Sequence, residues 1–185
     1  MRTRAAVALV LAALTAPLTA QDPERTFRAG VDIVSDGEGI SLSKRRITLS
    51  TSGVVPMMER CGEEIGVNLA VSLHAVTKDV RDEIVPINRK YGLDELLAAC
   101  AAYPGASNAR RITFEYVLLA GVNDAPEDAR RLAKLLAGVK AKINVIPLNP
   151  AAGIPFERPA DSVIDQFARI LSERGALVSV RKSRG

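Results

Sequence analysis

The sequence has no tryptophan, few other aromatic residues, one histidine and only two cysteines among 185 residues. Two cysteines, Cys61 and Cys100, exclude a small domain held together by several disulfides. They also exclude a metal cluster bound only by cysteines of this chain, which needs more thiolates placed closer together. The single histidine, His74, further restricts metal and acid–base chemistry. What remains is an ordinary globular composition, 48% apolar and 25% charged, and the length predicts one folded domain.

The chain carries 25 basic and 21 acidic residues, which gives a net charge of +4. This moderate excess permits a polyanionic partner without requiring one. Four short basic segments, 44–46, 88–90, 109–111 and 181–184, lie beside predicted strand or helix ends. Each alone is typical of a solvated surface, whereas together they could form one basic rim for nucleic acid.

The N-terminal segment differs from the rest of the sequence. Basic residues at 1–4 precede an apolar run at 5–14 and a stretch of small residues at 15–20, which matches the three parts of a secretory signal peptide. The apolar run is too short to span a bilayer, which needs about 20 residues. An alanine-rich first helix of a cytosolic domain is the alternative interpretation. We predict a signal-peptide-like or unrelated leader over 1–22, a poorly patterned connector over 23–44 and one domain over 45–185.

Short runs rich in valine, isoleucine, leucine and threonine alternate with helical patterns after residue 45. The predicted strands are 46–50, 67–73, 112–118, 142–147 and 177–181, and the predicted helices are 54–65, 93–103, 126–137 and 161–173. This alternation predicts an α/β fold of about five parallel βα units. Because an eight-stranded barrel needs about 250 residues, the fold is either an open sheet or a partial (β/α) barrel.

Polar residues follow the predicted strands at their carboxyl ends. Ser50 ends the first strand, Ser72 and His74 close the second, and Asn149 follows the fourth. Ligands bind at this edge of parallel sheets, and hydroxyl, imidazole and amide groups suit a polar metabolite with ribose and amino-acid parts. Taken singly, each residue is also typical of a cap, a turn or a structural histidine.

Glu115 interrupts an apolar strand, so it either points into a barrel lumen or pairs with a basic neighbour such as Arg111, and we favour the pairing. Cys61 and Cys100 lie in helical patterns, where a free cysteine usually behaves as a small buried apolar residue. We therefore predict no catalytic or metal-binding role for either thiol.

Six segments carry a resemblance to a known family. They are LSKRRITLSTSGVVP at 42–56, VSLHA at 71–75, PINRKY at 86–91, TFEYVLLAGVND at 113–124, VIPLNP at 145–150 and VRKSRG at 180–185. In this order they resemble the radical S-adenosylmethionine methyltransferases that methylate C2 of adenosine in 23S ribosomal RNA and in certain tRNAs. The resemblance implies the later part of a radical S-adenosylmethionine partial barrel, a [4Fe-4S] cluster in the family, RNA partners and a cytoplasmic location.

By position in these motifs, the resemblance implies that the S-adenosylmethionine contacts are Ser50, Ser72, Leu73, His74 and Asn149. The family's Cys-x3-Cys-x2-Cys cluster motif should precede residue 45, and the sequence has no cysteine before Cys61. Neither Cys61 nor Cys100 matches a catalytic cysteine of the family. We therefore expect no catalytic residue, no bound cluster and no methyl transfer by the chain as written.

Two interpretations stay open at the level of the sequence. In one, the chain is a piece of an RNA methyltransferase joined to an unrelated leader. In the other, it is a secreted, non-catalytic half-barrel that binds a ligand. The leader favours the second and the RNA-methyltransferase motifs favour the first, which we prefer.

Overall fold

A computed structural model describes residues 8–9, 30–32, 35–38, 41–149, 151 and 153–181. Its strands form one parallel sheet whose spatial order follows the chain. The strands are β1 (Ala8–Leu9), β2 (Thr48–Thr51), β3 (Asn68–Ser72), β4 (Ile112–Leu118), β5 (Ala141–Pro147) and β6 (Val178–Val180). The five strands predicted after residue 45 are therefore confirmed as β2 to β6.

Helices connect the successive strands from β2 onward. They are α1 (Val55–Arg60), which continues as a π-helical turn (Cys61–Ile65), α2 (Lys78–Ile84), α3 (Leu93–Ala102), α4 (Pro126–Leu135) and α5 (Asp161–Glu173). Short 3-10 helices precede β2 (Lys44–Arg46) and follow α2 (Pro86–Arg89). The four predicted helices are confirmed, whereas α2 was not predicted because its seven residues are mostly charged and carry no apolar stripe.

The helices cover one face of the sheet. Alternate residues of the strands, such as Leu69, Phe114 and Val145, join a buried apolar cluster with Leu96 of α3 and Leu132 of α4. Parallel βαβ connections place every crossover helix on the same side when the strands follow one another in order, as they do in a barrel. The opposite face of the sheet is left for other groups.

A second, smaller cluster lies near the amino ends of β2 and β3. It contains Val31, Ile47, Cys61 and Val67, all buried. Val31 thus ties the predicted connector to the sheet. No helix in the described part of the chain is both long and apolar enough to cross a membrane.

The leader contributes a strand to the sheet. Ala8 and Leu9 pair in parallel with Thr48 and Leu49, so β1 lies along the free edge of β2. The alternative interpretation of this run, as an alanine-rich first helix, is wrong for Ala8–Leu9, which form a strand. An edge strand offers unpaired backbone groups, which a short extended segment satisfies more directly than a helix does. The division of the chain at residues 22 and 44 stays a prediction.

We expect deletion of residues 1–22 to lower the solubility and the thermal unfolding temperature of the chain. The reason is that the deletion removes β1 and leaves the backbone groups of β2 open to pairing with other molecules. Thermal unfolding and light scattering of the full and shortened chains measure the effect. Identical unfolding and scattering would contradict a packed leader and favour a detached signal peptide.

Candidate functional site

The face of the sheet that the described helices leave uncovered is largely polar, and we call it the inner face. Its residues are Thr48, Ser50, Asn68, Ala70, Ser72, Thr113, Glu115, Val117, Lys142, Asn144, Ile146 and Ser179. One row across four strands joins Ser72 to Glu115, Glu115 to Asn144 and Asn144 to Ser179. Half-buried hydroxyl, carboxylate and amide groups on a concave sheet are suited to bind a polar ligand.

The two predicted serines share this face on neighbouring strands. Ser50 lies opposite Ala70, and Ser72 lies two residues further toward the carboxyl edge. Leu73 differs, because its side chain is fully buried in the apolar core. Any contact of Leu73 with a ligand is therefore through its backbone, whose N–H already donates to the carbonyl oxygen of Glu115.

Arg81 of α2 fastens the carboxyl ends of β2 and β3. Its guanidinium is 0% exposed and donates to the carbonyl oxygens of Leu73 at 3.1 Å, Ser72 at 3.3 Å and Ser52 at 2.8 Å. It also donates to Oδ1 of Asn88 at 2.7 Å. A guanidinium has five N–H donors in one plane, so it can bind several carbonyls at once. Arg81 thereby holds the backbone at the end of β3, which carries Ser72.

The Arg81 charge is not paired directly with a carboxylate in the described residues. Asn88 instead donates from Nδ2 to Oδ1 of Asp82 at 2.5 Å, and Lys78 pairs with the same carboxylate. These contacts with Lys78 and Asn88 lower the pKa of Asp82. Burial lowers the pKa of the Arg81 guanidinium, although it stays a cation at neutral pH.

His74 follows β3 in a left-handed backbone conformation, with φ of 58°. Its ring nitrogen Nδ1 accepts a hydrogen bond from the N–H of Val117 at 3.2 Å, and its carbonyl oxygen accepts one from Nδ2 of Asn123 at 2.7 Å. A non-glycine residue in this region is strained by about 1–3 kcal/mol and persists where its surroundings impose the conformation. Val117 and Asn123 supply that constraint from β4 and the turn after it.

The His74 ring is held neutral. Burial, followed by the positive charge of Arg81, lowers its pKa to about 4, although the carbonyl of Glu115 acts in the opposite direction. The carbonyl of Glu115 already accepts from the N–H groups of Leu73 and His74. At neutral pH the ring is therefore an uncharged donor and acceptor.

Asn149 lies apart from the β2–β3 residues, beside a hollow of about 410 Å³ at the carboxyl ends of β5 and β6. Arg158, Asp161, Asp165 and Arg181 also line this hollow. The structure thus places Ser50, Ser72 and His74 together at one part of the carboxyl edge, and Asn149 at another part of the same edge.

Glu115 does not pair with Arg111, so that expectation is wrong. Glu115 lies on the inner face in the middle of β4, whereas Arg111 precedes the strand and donates to Oδ1 of Asn108 instead. The Glu115 carboxylate lies between Ser72 and Asn144 in the sheet. The alternative placement, toward the lumen, matches the structure.

The two cysteines are both buried and separate. Burial raises the pKa of Cys100 to about 12 and also raises that of Cys61, whose sulfur accepts a weak hydrogen bond from Tyr103. Within the described residues, no group of three potential ligands could hold a metal ion. These residues therefore do not fit a [4Fe-4S] cluster, which needs closely placed thiolates.

The basic segments lie at different places on the sheet. Arg45 precedes β2 and Arg111 precedes β4, so both lie at the amino edge of the sheet, whereas Arg181 follows β6 at the carboxyl edge. Arg110 is a structural residue, because it donates to Oδ1 of Asn68 and to the carbonyl oxygen of Gly66. The described members of these segments therefore lie at both edges of the sheet and do not favour one continuous rim, and residues 182–184 lie outside the described residues.

No protein-family model matches the chain. Among curated proteins, the dual-specificity RNA methyltransferase RlmN of Novosphingobium aromaticivorans is 66% identical over 160 residues, which cover 85% of this chain and 37% of that protein. RlmN of Acidiphilium cryptum is 64% identical over 153 residues, covering 83% of this chain and 39% of that protein. A crystal structure of a radical SAM methyltransferase from Sphaerobacter thermophilus superimposes with a TM-score of 0.81 and 47% identity, covering 88% of this chain and 49% of that one.

The chain is related to the radical SAM RNA methyltransferases. It spans about two fifths of the length of the curated relatives it matches. A domain of a pyruvate-formate lyase-activating enzyme from Bacteroides vulgatus also matches, with a TM-score of 0.61 and 15% identity over 89% of this chain, which supports the fold alone. The predicted partial (β/α) barrel of the radical SAM type is thereby confirmed.

Two residues of the site region, Arg81 and Asn123, were missed by the sequence reasoning. Arg81 lies in a charged segment that is typical of an exposed helix, and Asn123 lies in the polar segment before α4, where an asparagine is typical of a turn. Their most distant partners lie 29 and 49 positions away, at Ser52 and His74. The one available signal for Asn123 was its position immediately after a buried strand and turn, where polar side chains satisfy backbone groups.

Proposed function

We propose that this chain is the cosubstrate-binding part of a radical SAM methyltransferase that methylates C2 of adenosine in 23S rRNA and tRNA. One observation carries the proposal: Ser50 and Ser72 lie on neighbouring strands of the inner face and His74 follows Ser72 at the carboxyl edge, in a chain 66% identical over 160 residues to a dual-specificity RNA methyltransferase. Partial barrels bind their ligands at this edge. RNA is accordingly the proposed partner, and the proposed location is the cytoplasm, where RNA substrates are present.

Several features of the inner face fit S-adenosylmethionine, which supplies the methyl group when it is bound. Nε2 of His74 has no hydrogen-bond partner in the described residues, and none of their buried side-chain nitrogens or oxygens lacks one. Nε2 is therefore accessible and can donate to a ligand. We assign Ser50, Ser72 and Asn149 to the remaining polar groups of the cosubstrate, with the backbone of Leu73 beside them.

The chain on its own is not proposed to transfer a methyl group. Cys61 and Cys100 are buried, and burial raises their pKa values, so neither thiol is a ready nucleophile or cluster ligand. The proposed role of these residues is limited to binding and orienting the cosubstrate. A secreted, non-catalytic binding module remains the alternative function, which the signal-peptide-like sequence of residues 1–22 favours.

Calorimetric titration with S-adenosylmethionine tests the proposal. We expect weak but measurable binding, and we expect His74→Ala and Ser72→Ala each to weaken it by about tenfold, as one lost hydrogen bond of about 1.4 kcal/mol would. Ser162→Ala on the exposed surface of α5 is the control and should bind as the parent chain does. Absence of binding, or equal affinities for all four proteins, would contradict the proposed site.

A further inference from the structure

The polar side chain that reaches His74 from the neighbouring turn has no role in the function proposed above. Asn123 is 2% exposed and lies in the turn after the carboxyl end of β4. Its Nδ2 donates to the carbonyl oxygens of His74 and Val117, each at 2.7 Å, and its Oδ1 accepts from the N–H of Leu119 at 2.7 Å. These three partners allow only one orientation of the side-chain amide. The two carbonyls can only accept and therefore face Nδ2, whereas the N–H of Leu119 can only donate and therefore faces Oδ1.

Asn123 thereby joins the end of β3 to the end of β4. The carbonyl it holds on β3 belongs to His74, whose φ of 58° is rare for a residue with a side chain. The carbonyl it holds on β4 belongs to Val117, whose N–H donates to Nδ1 of His74. One amide group therefore anchors both the backbone of His74 and the residue that binds its ring.

The bond from Val117 determines where the ring proton lies. A backbone N–H can only donate, so Nδ1 of His74 must offer a lone pair, and the proton of the neutral ring is on Nε2. A cationic ring would place an N–H of Nδ1 against the N–H of Val117. The competing acceptor, the carbonyl of Glu115, already receives the N–H groups of Leu73 and His74.

We propose that Asn123 is a positioning residue that keeps His74 in its left-handed conformation and as a neutral ring with the proton on Nε2, which faces the site as a hydrogen-bond donor. The ligand group opposite Nε2 is then an acceptor, such as a ring nitrogen or a ribose oxygen of a nucleoside. This last step rests on the proposed function, whereas the state of the ring does not.

Charged groups around the ring agree with this assignment. Arg81 approaches from α2, and its positive charge adds to the effect of burial in lowering the pKa of His74 to about 4. Glu115 lies on β4, the strand that supplies Val117, and its carbonyl acts in the opposite direction. The ring should therefore stay neutral throughout the pH range from 8 to 5.

Because His74 is the only histidine of the chain, its ring can be observed without assignment by mutation. Long-range proton–nitrogen spectra of the full chain labelled with nitrogen-15 histidine distinguish the two neutral forms and the cation. We expect one protonated nitrogen, Nε2, from pH 8 to 5, and a midpoint near pH 4. A cationic ring at pH 6, or a proton on Nδ1, would overturn the proposal.

Asn123→Asp tests the positioning role at constant size. The carboxylate keeps an acceptor for Leu119 but loses both donors to His74 and Val117. We expect a mixture of the two neutral forms and a midpoint moved upward toward the ordinary value of about 6.5. Asn108→Asp, the same change at an exposed turn, should leave the protonated nitrogen and the midpoint of His74 unchanged.

Unchanged ring signals in Asn123→Asp would refute the role of Asn123, and Asn123→Ser provides a second variant that keeps one donor if the aspartate does not fold. The spectra are recorded without ligand, so their outcome does not depend on the proposed function. In a separate titration, S-adenosylmethionine should bind Asn123→Asp about tenfold more weakly than the parent chain, as one lost hydrogen bond would imply. If no variant binds it but the ring behaves as expected, the proposed function fails and the positioning role stands.

Discussion

Replacing Arg81 with methionine should lower the free energy of unfolding by about 3 kcal/mol or more, because each hydrogen bond to a charged group contributes about 1.5–3 kcal/mol and Arg81 donates four. Exchange of a buried ion pair for apolar residues can be neutral when both partners are replaced. That compensation is not available here, because three of the acceptors are backbone carbonyls of Ser52, Ser72 and Leu73, which no substitution removes. Each would lose a donor, and the carbonyl of Leu73 would lose it in a fully buried place.

Urea unfolding of the full chain measures this loss. Arg89→Met is the control, because Arg89 is an exposed residue of the following 3-10 helix, and it should change stability by less than about 0.5 kcal/mol. Arg81→Lys should lie between the two, since an ammonium has three donors on one atom and cannot span the same carbonyls. If Arg81→Met unfolded like the control, the hydrogen bonds of Arg81 would not be holding the ends of β2 and β3 together.

The strands were predictable because each is a local signal. The run that forms β4, for example, alternates buried residues such as Phe114 and Tyr116 with half-buried ones, and apolar β-branched and aromatic residues dominate it. The parallel arrangement followed from the alternation of strands and helices, whereas the order of the strands stayed open between an open sheet and a partial barrel. Helix α2 was missed because its helical state is stabilised by the tertiary contacts of Arg81 rather than by an apolar stripe.

The candidate site was predictable only in part, for a physical reason. Ser72 and His74 are found by a local rule, since they end a strand whose carboxyl edge must face the ligand side of a parallel sheet. The groups that hold them are not found in this way. Arg81 and Asn123 bind backbone carbonyls, in one case each far away in the sequence, and the residue type at a position does not show what its backbone atoms bind.

The last large effect is expected at the contact between α5 and the sheet. Phe167 is 1% exposed and stacks on Tyr116 of β4, with ring centroids 5.3 Å apart and an angle of 29° between the rings. Phe167→Ala would leave a cavity that these two elements cannot close without moving, so we expect a loss of about 3–5 kcal/mol of unfolding free energy. The hydroxyl of Tyr116 donates to the carbonyl oxygen of Asn123, so a shift of Tyr116 would also reach the turn that holds His74.

Urea unfolding and the nitrogen-15 spectrum of His74 together test this coupling. Leu177→Ala is the control, because Leu177 is 54% exposed, and it should alter neither measurement appreciably. Phe167→Leu keeps most of the volume and should lose less than half as much stability as Phe167→Ala. A strongly destabilised Phe167→Ala whose His74 ring signals match those of the parent would show that the core and the site region are not coupled through Tyr116, because the packing of α5 would then affect stability alone.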